Sequence, residues 1–273
     1  MAGEDEASDD PNAFCNKSVP KRMFIVIAGA FMNVLLGFIL MFVLVFSQKT
    51  LLSNQIGAFN ENSLSSEQLM IGDTVLKVDG TSVHTGNEVV YEIMNKGSEP
   101  ISMVVLRDGE KVTLENVTFP NFEDSGVLFG ECDFKMYADE ETFGNYIKHA
   151  YFRSVSTVKM VYDSLFNLLS GKYGMEAVSG PVGVTEVVGE AAKSNFPTLL
   201  YVVTVISINL GVFNLLPFPA LDGGRFVFLI VEGIRRKPID RRIEGYVNFV
   251  GIIILFALMA LVTFKDIVKL ITG

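Results

Sequence analysis

The feature that most constrains this sequence is an apolar run broken first by two prolines and then by an acidic residue. The run covers residues 199–216, is interrupted at Pro217 and Pro219, and reaches Asp222 before apolar sequence resumes at Phe226. An ordinary membrane helix excludes this pattern, because a carboxylate in hydrocarbon is costly and prolines remove backbone hydrogen bonds. The pattern therefore predicts a broken membrane helix that presents one carboxylate at membrane depth.

The broken segment also carries amide side chains and paired glycines. Its stretch N-L-G-V-F-N-L-L-P-F-P-A-L-D-G-G-R resembles the signature of the site-2 protease family, zinc metalloproteases that cut substrates within membranes. The resemblance implies that Asp222 is the third zinc ligand and that Gly223 and Gly224 belong to the structural motif. It also implies that a substrate strand is seated by residues before the break and at it, namely Asn209, Asn214, Pro217 and Pro219.

A second apolar run lies near the N-terminus. Residues 24–46 carry no charge and are long enough to cross about 30 Å of hydrocarbon. Positive residues between Lys17 and Arg22 favour a cytoplasmic start and an outward crossing. The sequence predicts an acidic cytoplasmic segment over residues 1–22 and a transmembrane helix over residues 23–48, with a buried helix of a soluble core as the alternative.

Small and polar residues punctuate this first apolar run. Gly29 and Asn33 resemble the G-x-x-x-N element of the same family, whose helix packs beside the zinc helix; Ala30 stands where the family usually has proline. Gly29 and Gly37 are equally explained as ordinary packing residues, because small residues line helix contacts in membranes generally.

Residues 51–120 change character and predict a small, mostly β domain. Alternating segments such as T-V-L-K-V and I-S-M-V-V-L are separated by Asp79-Gly80 and Asp108-Gly109, which are strong tight-turn signals. Residues 86–95 show helical spacing. The run L-M-I-G-D-T-V-L-K-V-D-G-T-S-V resembles the PDZ domain, in which a peptide adds to an exposed strand. The alternative is a generic β-rich spacer.

Residues 121–196 are predicted to be a linker followed by an amphipathic helix. Asn121 to Glu141 reads as irregular, and the hydroxyl of Thr142 is placed to cap the next helix. From residue 143 to 169, charges interrupt the helical apolar pattern, which favours a helix on the membrane interface or against the domain over a spanning one. Ser179 to Gly183 is predicted to be a tight turn, and its G-P-V-G element also resembles the family.

Two further crossings complete the predicted topology. The discontinuous unit occupies residues 197–234, a basic cytoplasmic loop occupies residues 235–246, and a last transmembrane helix with a tail occupies residues 247–273. The predicted fold class is a multi-pass α-helical membrane protein of the cell membrane, with three transmembrane helices and an inserted PDZ-like α+β domain outside the cytoplasm.

The family's catalytic H-E-x-x-H motif is missing from this sequence. Its two histidines, His84 and His149, are far apart, and neither is followed by the expected glutamate, so both are interpreted as surface or packing residues. Because catalytic zinc usually needs three protein ligands, Asp222 alone is insufficient. Met1 resembles the middle of the family's connection between its zinc helix and its next helix. The chain is therefore expected to be an inactive C-terminal fragment, with a pseudoprotease as the alternative.

Composition narrows the partners. The net charge of −9 derives partly from the N-terminal acidic cluster, and no basic stripe indicates nucleic-acid binding. Cys15 and Cys132 show neither zinc-knuckle nor disulfide spacing. The resemblance implies a zinc cofactor and a membrane-protein substrate, such as an anti-sigma factor or a signal-peptide remnant. A PDZ-containing membrane scaffold and, more remotely, a transporter are the other classes considered; no repeat indicates the latter.

Overall fold

The computed structural model describes residues 10, 13–124, 126–174 and 178–272. Its helices are α1 (Val19–Ser47), α2 (Gly86–Lys96), α3 (Phe143–Leu169), α4 (Pro181–Ser194), α5 (Phe196–Asn214), α6 (Asp222–Arg235) and α7 (Arg241–Thr272). Its strands are β1 (Leu51–Phe59), β2 (Thr74–Val78), β3 (Thr81–Ser82), β4 (Ile101–Arg107), β5 (Glu110–Val117), β6 (Asn121–Asp124), β7 (Val127–Gly130) and β8 (Phe134–Asp139). The chain divides into two compact units, Met1–Ile39 with Ser179–Gly273, and Leu40–Val178.

Three helices of the described chain are long and apolar enough to cross a membrane: Val19–Ser47, Phe196–Asn214 and Arg242–Lys269. They match the three predicted crossings in position. The reason is that an apolar run of about 20 residues is long enough, as a helix, to cross the hydrocarbon of a membrane. The predicted basic loop over residues 235–246 is shorter than expected, since α7 already begins at Arg241. Glu244 lies in the first turn of α7, where a negative charge complements the helix dipole.

The unit formed by Met1–Ile39 and Ser179–Gly273 is here called the membrane unit. In it, α1 and α5 approach closely at small residues. A Cβ added to Gly211 would lie 2.9 Å from the carbonyl oxygen of Ala30, and one added to Gly37 would collide with the side chain of Ile208. The hydroxyl of Ser207 donates a 2.8 Å hydrogen bond to the backbone oxygen of Asn33. Position numbers rise along α5 as they fall along α1, so the two helices run antiparallel.

The second unit is an α/β domain. A six-stranded sheet has the order β5-β4-β2-β1-β8, with β3 paired to β2. The two predicted turns are confirmed: Asp79 and Gly80 connect β2 to β3, and Asp108 and Gly109 connect β4 to β5, all four with positive φ. Its buried core comes from the sheet, from α2 and from the segments between them, and includes Ile56, Val75, Val89, Ile93, Met103, Val105 and Phe134. The PDZ assignment itself stays a prediction.

The irregular linker predicted from Asn121 to Glu141 is wrong. This stretch contains β6 and β7, which form a hairpin, and β8, which pairs with β1. The strand that pairs with β8 is β1, which lies about 80 residues earlier in the chain. The segment F-K-M-Y-A-D therefore forms a strand because it pairs with the edge of β1, and not because of its own residue pattern. The division of the chain into domains otherwise stays a prediction.

Two predictions that concern helix starts have opposite outcomes. The cap at Thr142 is confirmed, because its Oγ1 accepts a 3.3 Å hydrogen bond from the backbone N–H of Asn145. The tight turn predicted for Ser179 to Gly183 is wrong in its second half, because α4 begins at Pro181. Proline suits the first position of a helix, since its missing N–H would have no partner within the helix there.

Candidate functional site

The predicted break separates α5 from α6. The helix α5 ends at Asn214 and α6 begins at Asp222, with the prolines between them. The connection is tightly turned: the N–H of Phe218 donates to the oxygen of Leu216 at 2.7 Å, and Ala220 adopts a φ of 73°. A non-glycine residue with positive φ is strained and needs local support. Here the side chain of Asn248 on α7 accepts a 3.2 Å hydrogen bond from the N–H of Ala220.

The paired glycines allow the break to fold onto the first turn of α6. A Cβ added to Gly223 would collide with the backbone oxygens of Leu215 and Leu216, and one added to Gly224 would collide with that of Phe218. Both glycines are buried. On the other side, a Cβ at Gly251 of α7 would come within 2.6 Å of Pro219. The break is therefore packed backbone against backbone, and this packing fixes where α6 starts.

Asp222, the first residue of α6, is half-buried beside α1. A Cβ added to Gly29 would lie 3.8 Å from Oδ2 of Asp222, so the carboxylate faces the backbone of α1 at a point without a side chain. Gly29 comes seven positions after Arg22, which is about 10 Å along a helix. The carboxylate therefore lies beside the apolar part of α1 rather than beside its charged N-terminal end.

Residues on both sides of the break meet the same turn of α1. Gly211 of α5 packs against the oxygen of Ala30, next to the Gly29 that faces Asp222. Asn209 and Asn214 are half-buried and lie within about 4.5 Å of Gly211 along the axis of α5. Although ten residues separate Gly211 from Asp222 in sequence, both lie beside the same turn of α1. The asparagines and the carboxylate are therefore at a similar height along α1.

The other predicted residues of this site have distinct surroundings. Pro217 is exposed at the break, whereas Pro219 is half-buried against Gly251. Asn33 is half-buried one turn above Gly29, and its backbone oxygen receives the hydrogen bond from Ser207. The roles assigned to these residues stay predictions.

Neither histidine lies in the membrane unit, which contains the break. His149 is 2% exposed, and its Nε2 lies 2.8 Å from Oδ2 of Asp139. His84 stacks on Phe152 with ring centroids 3.9 Å apart. Burial alone would raise the pKa of Asp139, but the hydrogen bond from His149 and the charge of Lys148 outweigh it and lower that pKa. Both histidines have structural contacts in the α/β domain.

The described residues contain one candidate zinc ligand at the break and not a full set. Among them, no group of three His, Cys, Asp or Glu side chains is placed to hold a metal ion. A carboxylate oxygen is an ordinary zinc ligand, and a catalytic site usually has three protein ligands with a fourth position open. The carboxylate of Asp222 has the chemistry for one of these places, and its role as a zinc ligand stays a prediction.

Sequence reasoning missed two acidic residues inside apolar sequence. Glu232 on α6 is buried, pairs with Arg22 at 2.8 Å, and accepts the N–H of Ile239 at 3.0 Å. Asp266 on α7 is 7% exposed and accepts two backbone hydrogen bonds, each 2.9 Å, from Gly180 and Gly183. Carboxylates within apolar segments are the available signal, because such groups occur in membranes only when they are paired.

Arg225 follows the paired glycines and contacts two other elements. Its guanidinium lies 5.0 Å from the ring centre of Phe14, and its Nε lies 3.7 Å from Glu244. These contacts connect α6 to the N-terminal segment and to the start of α7.

Comparison with known proteins adds a family and several relatives. The model of peptidase family M50 matches residues 1–258. A protein of Clostridium acetobutylicum named as a zinc metalloprotease is 37% identical over 272 residues, covering 98% of this chain and 78% of that protein. Zinc metalloprotease RasP of Shouchella clausii is 34% identical, covering 94% of this chain and 62% of the relative. Regulator of sigma-W protease RasP of Bacillus subtilis is 32% identical, with coverages of 94% and 61%.

Proposed function

Because the chain belongs to peptidase family M50, we propose that it forms the C-terminal part of an intramembrane zinc metalloprotease that cleaves single-pass membrane proteins. The observation that carries this proposal is the position of Asp222. Its carboxylate lies at the N-terminus of a helix, half-buried, against a residue of α1 that has no side chain. A carboxylate is an ordinary zinc ligand, and acidic groups at this depth in apolar surroundings commonly belong to functional sites.

In this proposal Asp222 supplies one zinc ligand and an H-E-x-x-H helix supplies two more. Histidines one helical turn apart point to the same side and can bind one ion together, while the glutamate acts as the general base. Zinc, when bound, lowers the pKa of its water to about 7, which makes hydrolysis of a peptide bond possible at neutral pH. The contribution of this chain is to hold the third ligand at a fixed depth.

The break also suits an unwound substrate. A peptide bond inside a helix is shielded by its own hydrogen bonds, and unwinding it in hydrocarbon leaves polar groups that need partners. Amide side chains provide both donors and acceptors, and Asn209 and Asn214 lie near the depth of the carboxylate. We therefore assign these asparagines, with Pro217 and Pro219 shaping the break, to the substrate strand.

The α/β domain is proposed to be PDZ-like and to lie outside the cytoplasm. Its strand β8 stands at the end of the sheet order, beyond β1, so one edge of β8 lies outside the sheet's own pairing. An exposed edge of this kind can accept an extended peptide as a further strand. The domain would then either restrict access to the site or read a trimmed substrate.

The substrate class follows from the same proposal. The Bacillus subtilis relative is named as a regulator of sigma-W protease, which suggests an anti-sigma factor as the membrane substrate. A signal-peptide remnant is the other candidate. Each has a single membrane-spanning segment, and such a segment can be unwound at a site that lies at membrane depth.

A non-catalytic role is the second candidate, and one observation favours it. The sequence contains no H-E-x-x-H, so a pseudoprotease or PDZ-type scaffold would bind membrane clients without cutting them. Such a protein would need the α/β domain but would not need Asp222.

The test reconstitutes the full chain in liposomes with a single-pass substrate, alone and together with a transmembrane segment that carries H-E-x-x-H. We expect neither zinc retention nor cleavage from the chain alone, and both from the combination. Asp222→Asn should weaken zinc binding by at least about 100-fold, since even an outer-shell partner of a metal ligand contributes 10- to 100-fold. Glu186→Gln, at an exposed position on α4, is the matched control.

Two results would overturn the proposal. Chelator-sensitive cleavage by the chain alone would show that the ligands are already complete without the added segment. Unchanged zinc content and cleavage in Asp222→Asn would remove that carboxylate from the site and favour the scaffold.

A further inference from the structure

The helix α3 has one face packed on the α/β domain and one face that is not. The packed face includes His149, Ala150, Ser154, Thr157 and Val161, all buried. Tyr91 and Glu92 of α2 meet the same helix through Asp163 and Lys159, at 2.8 Å in each case. The helix is therefore a fixed part of the domain.

The other face carries a row of exposed apolar side chains, here called the apolar stripe: Phe143, Ile147, Tyr151, Val155, Tyr162 and Phe166. Phe143 and Phe166 are each 72% exposed and the others between 40% and 52%. Successive members are separated by four, four, four, seven and four positions, so at 3.6 residues per turn they cover about 140° of the helix surface. Water alone is a poor solvent for so long an apolar row.

Charged side chains do not interrupt the stripe, although several occur on α3. Lys148 turns to Asp139 on β8, and Lys159 turns to Glu92 and Asp163. Arg153 reaches Oε1 of Gln48 at 3.1 Å. The charges that made a spanning helix implausible are thus directed at protein partners, and the stripe remains apolar.

The start of α3 lies at the end of the first membrane helix. The ring of Phe46 stacks on Tyr146 at 4.9 Å and meets Phe143 at 6.0 Å. From Arg22 to Phe46, α1 is about 36 Å long, so Phe46 comes at the far boundary of about 30 Å of hydrocarbon.

The contacts also indicate a direction for α3. Between Tyr146 and Arg153 the helix advances about 10 Å, while its contacts on the other side stay between Phe46 and Gln48. The helix α3 therefore crosses the end of α1 and does not run alongside it, which is the course of a helix that follows a membrane surface.

We propose that the apolar stripe lies in the lipid–water interface beside the C-terminal end of α1 and holds the α/β domain on the membrane surface. Aromatic and aliphatic side chains on one face of a helix are typical of interfacial helices, which bury about 5–10 Å into the headgroup and acyl boundary. A lipid surface is the partner because the stripe begins where a membrane helix emerges. The proposal requires a membrane but neither zinc nor proteolysis, so it can fail independently of the proposed function.

The test uses the absence of tryptophan from the sequence. Tyr151→Trp and Phe166→Trp each introduce a single fluorescent reporter into the stripe of the full chain, reconstituted in phosphatidylcholine–phosphatidylglycerol vesicles. Ser164→Trp places the same reporter on an exposed position of α3 outside the stripe and is the matched control. Quenching is measured with lipids brominated near the headgroup, with lipids brominated near the chain end, and with aqueous iodide.

We expect both stripe reporters to be quenched several-fold more by the shallow brominated lipid than the control, and several-fold less by iodide. Two patterns would overturn the proposal. Iodide quenching equal to that of Ser164→Trp would place the stripe in water. Protection from both lipid and iodide would show that protein, either a second copy or a partner, covers it. All three substitutions are at exposed positions, and far-ultraviolet circular dichroism with an unchanged melting temperature verifies the fold.

Discussion

Removing the carboxylate of Asp266 should destabilise the membrane unit, and the size of the effect can be worked out from two hydrogen bonds. Both the N–H of Gly180 and that of Gly183 donate to the same oxygen, Oδ2, at 2.9 Å. These donors belong to the unpaired first turn of α4, and the carboxylate is only 7% exposed. Asp266→Ala leaves both donors without this acceptor at about 1–3 kcal/mol each, so the expected loss is about 2–6 kcal/mol.

Asp266→Asn separates hydrogen bonding from charge. One amide oxygen can still accept both N–H groups, so this variant should lose only the charge-assisted part and the interaction with the helix dipole, about 0.5–2 kcal/mol. The free energy of unfolding of both variants is measured by denaturant titration in mixed micelles. The control is Glu190→Ala, at an exposed position on α4, the helix that Asp266 caps. It should change stability by less than about 0.5 kcal/mol.

The comparison of the two variants decides the result. Equal and large losses would mean that the negative charge and not the hydrogen bonding anchors α4. A loss below about 1 kcal/mol in Asp266→Ala would show that the two N–H groups find water or other acceptors, and the reasoning from burial would be refuted.

Three further predictions concern other contacts. Arg22→Ala leaves Glu232 buried without its partner and should cost up to about 3–5 kcal/mol, whereas replacing both by leucine should cost less; unfolding of the single and double variants tests this. Gly223→Ala pushes a methyl group into backbone oxygens and should lower the melting temperature strongly, whereas Gly245→Ala, where nothing lies within 4 Å, should not. Asp139 has a lowered folded pKa, so its stabilising contribution should be complete above the usual value of 3.8 and be lost as pH falls through the folded pKa; urea unfolding against pH should show this acid loss reduced in Asp139→Asn.

The arrangement at the break explains why the motif contains glycines and prolines in one short stretch. The prolines end α5 and start a turn in which Ala220 is strained, and the glycines let that turn rest on α6. Asn248 and Gly251 of α7 support the turn from the other side. The last membrane helix is thus part of the site's scaffold, which its plain apolar sequence did not indicate.

The sequence by itself determined the elements whose cause is local. Uninterrupted apolar runs predicted the membrane helices, Asp-Gly pairs predicted two tight turns, and a threonine predicted a helix cap, because each depends on the solvent or on backbone geometry within a few residues. The prolines before Asp222 likewise predicted a broken helix, and Asp222 itself gave the carboxylate at the break. These features required no knowledge of the partner.

Only the tertiary structure decided which distant residues meet. The strand β8 forms because an edge of β1 is available, and the G-P-V-G element starts a helix that Asp266 caps from α7. Gly29 faces Asp222 because α6 packs antiparallel to α1, as the pairing of Arg22 with Glu232 also shows. Pairings of this kind depend on chain paths through space, and neither hydropathy nor turn chemistry near one residue specifies its partner from another part of the chain.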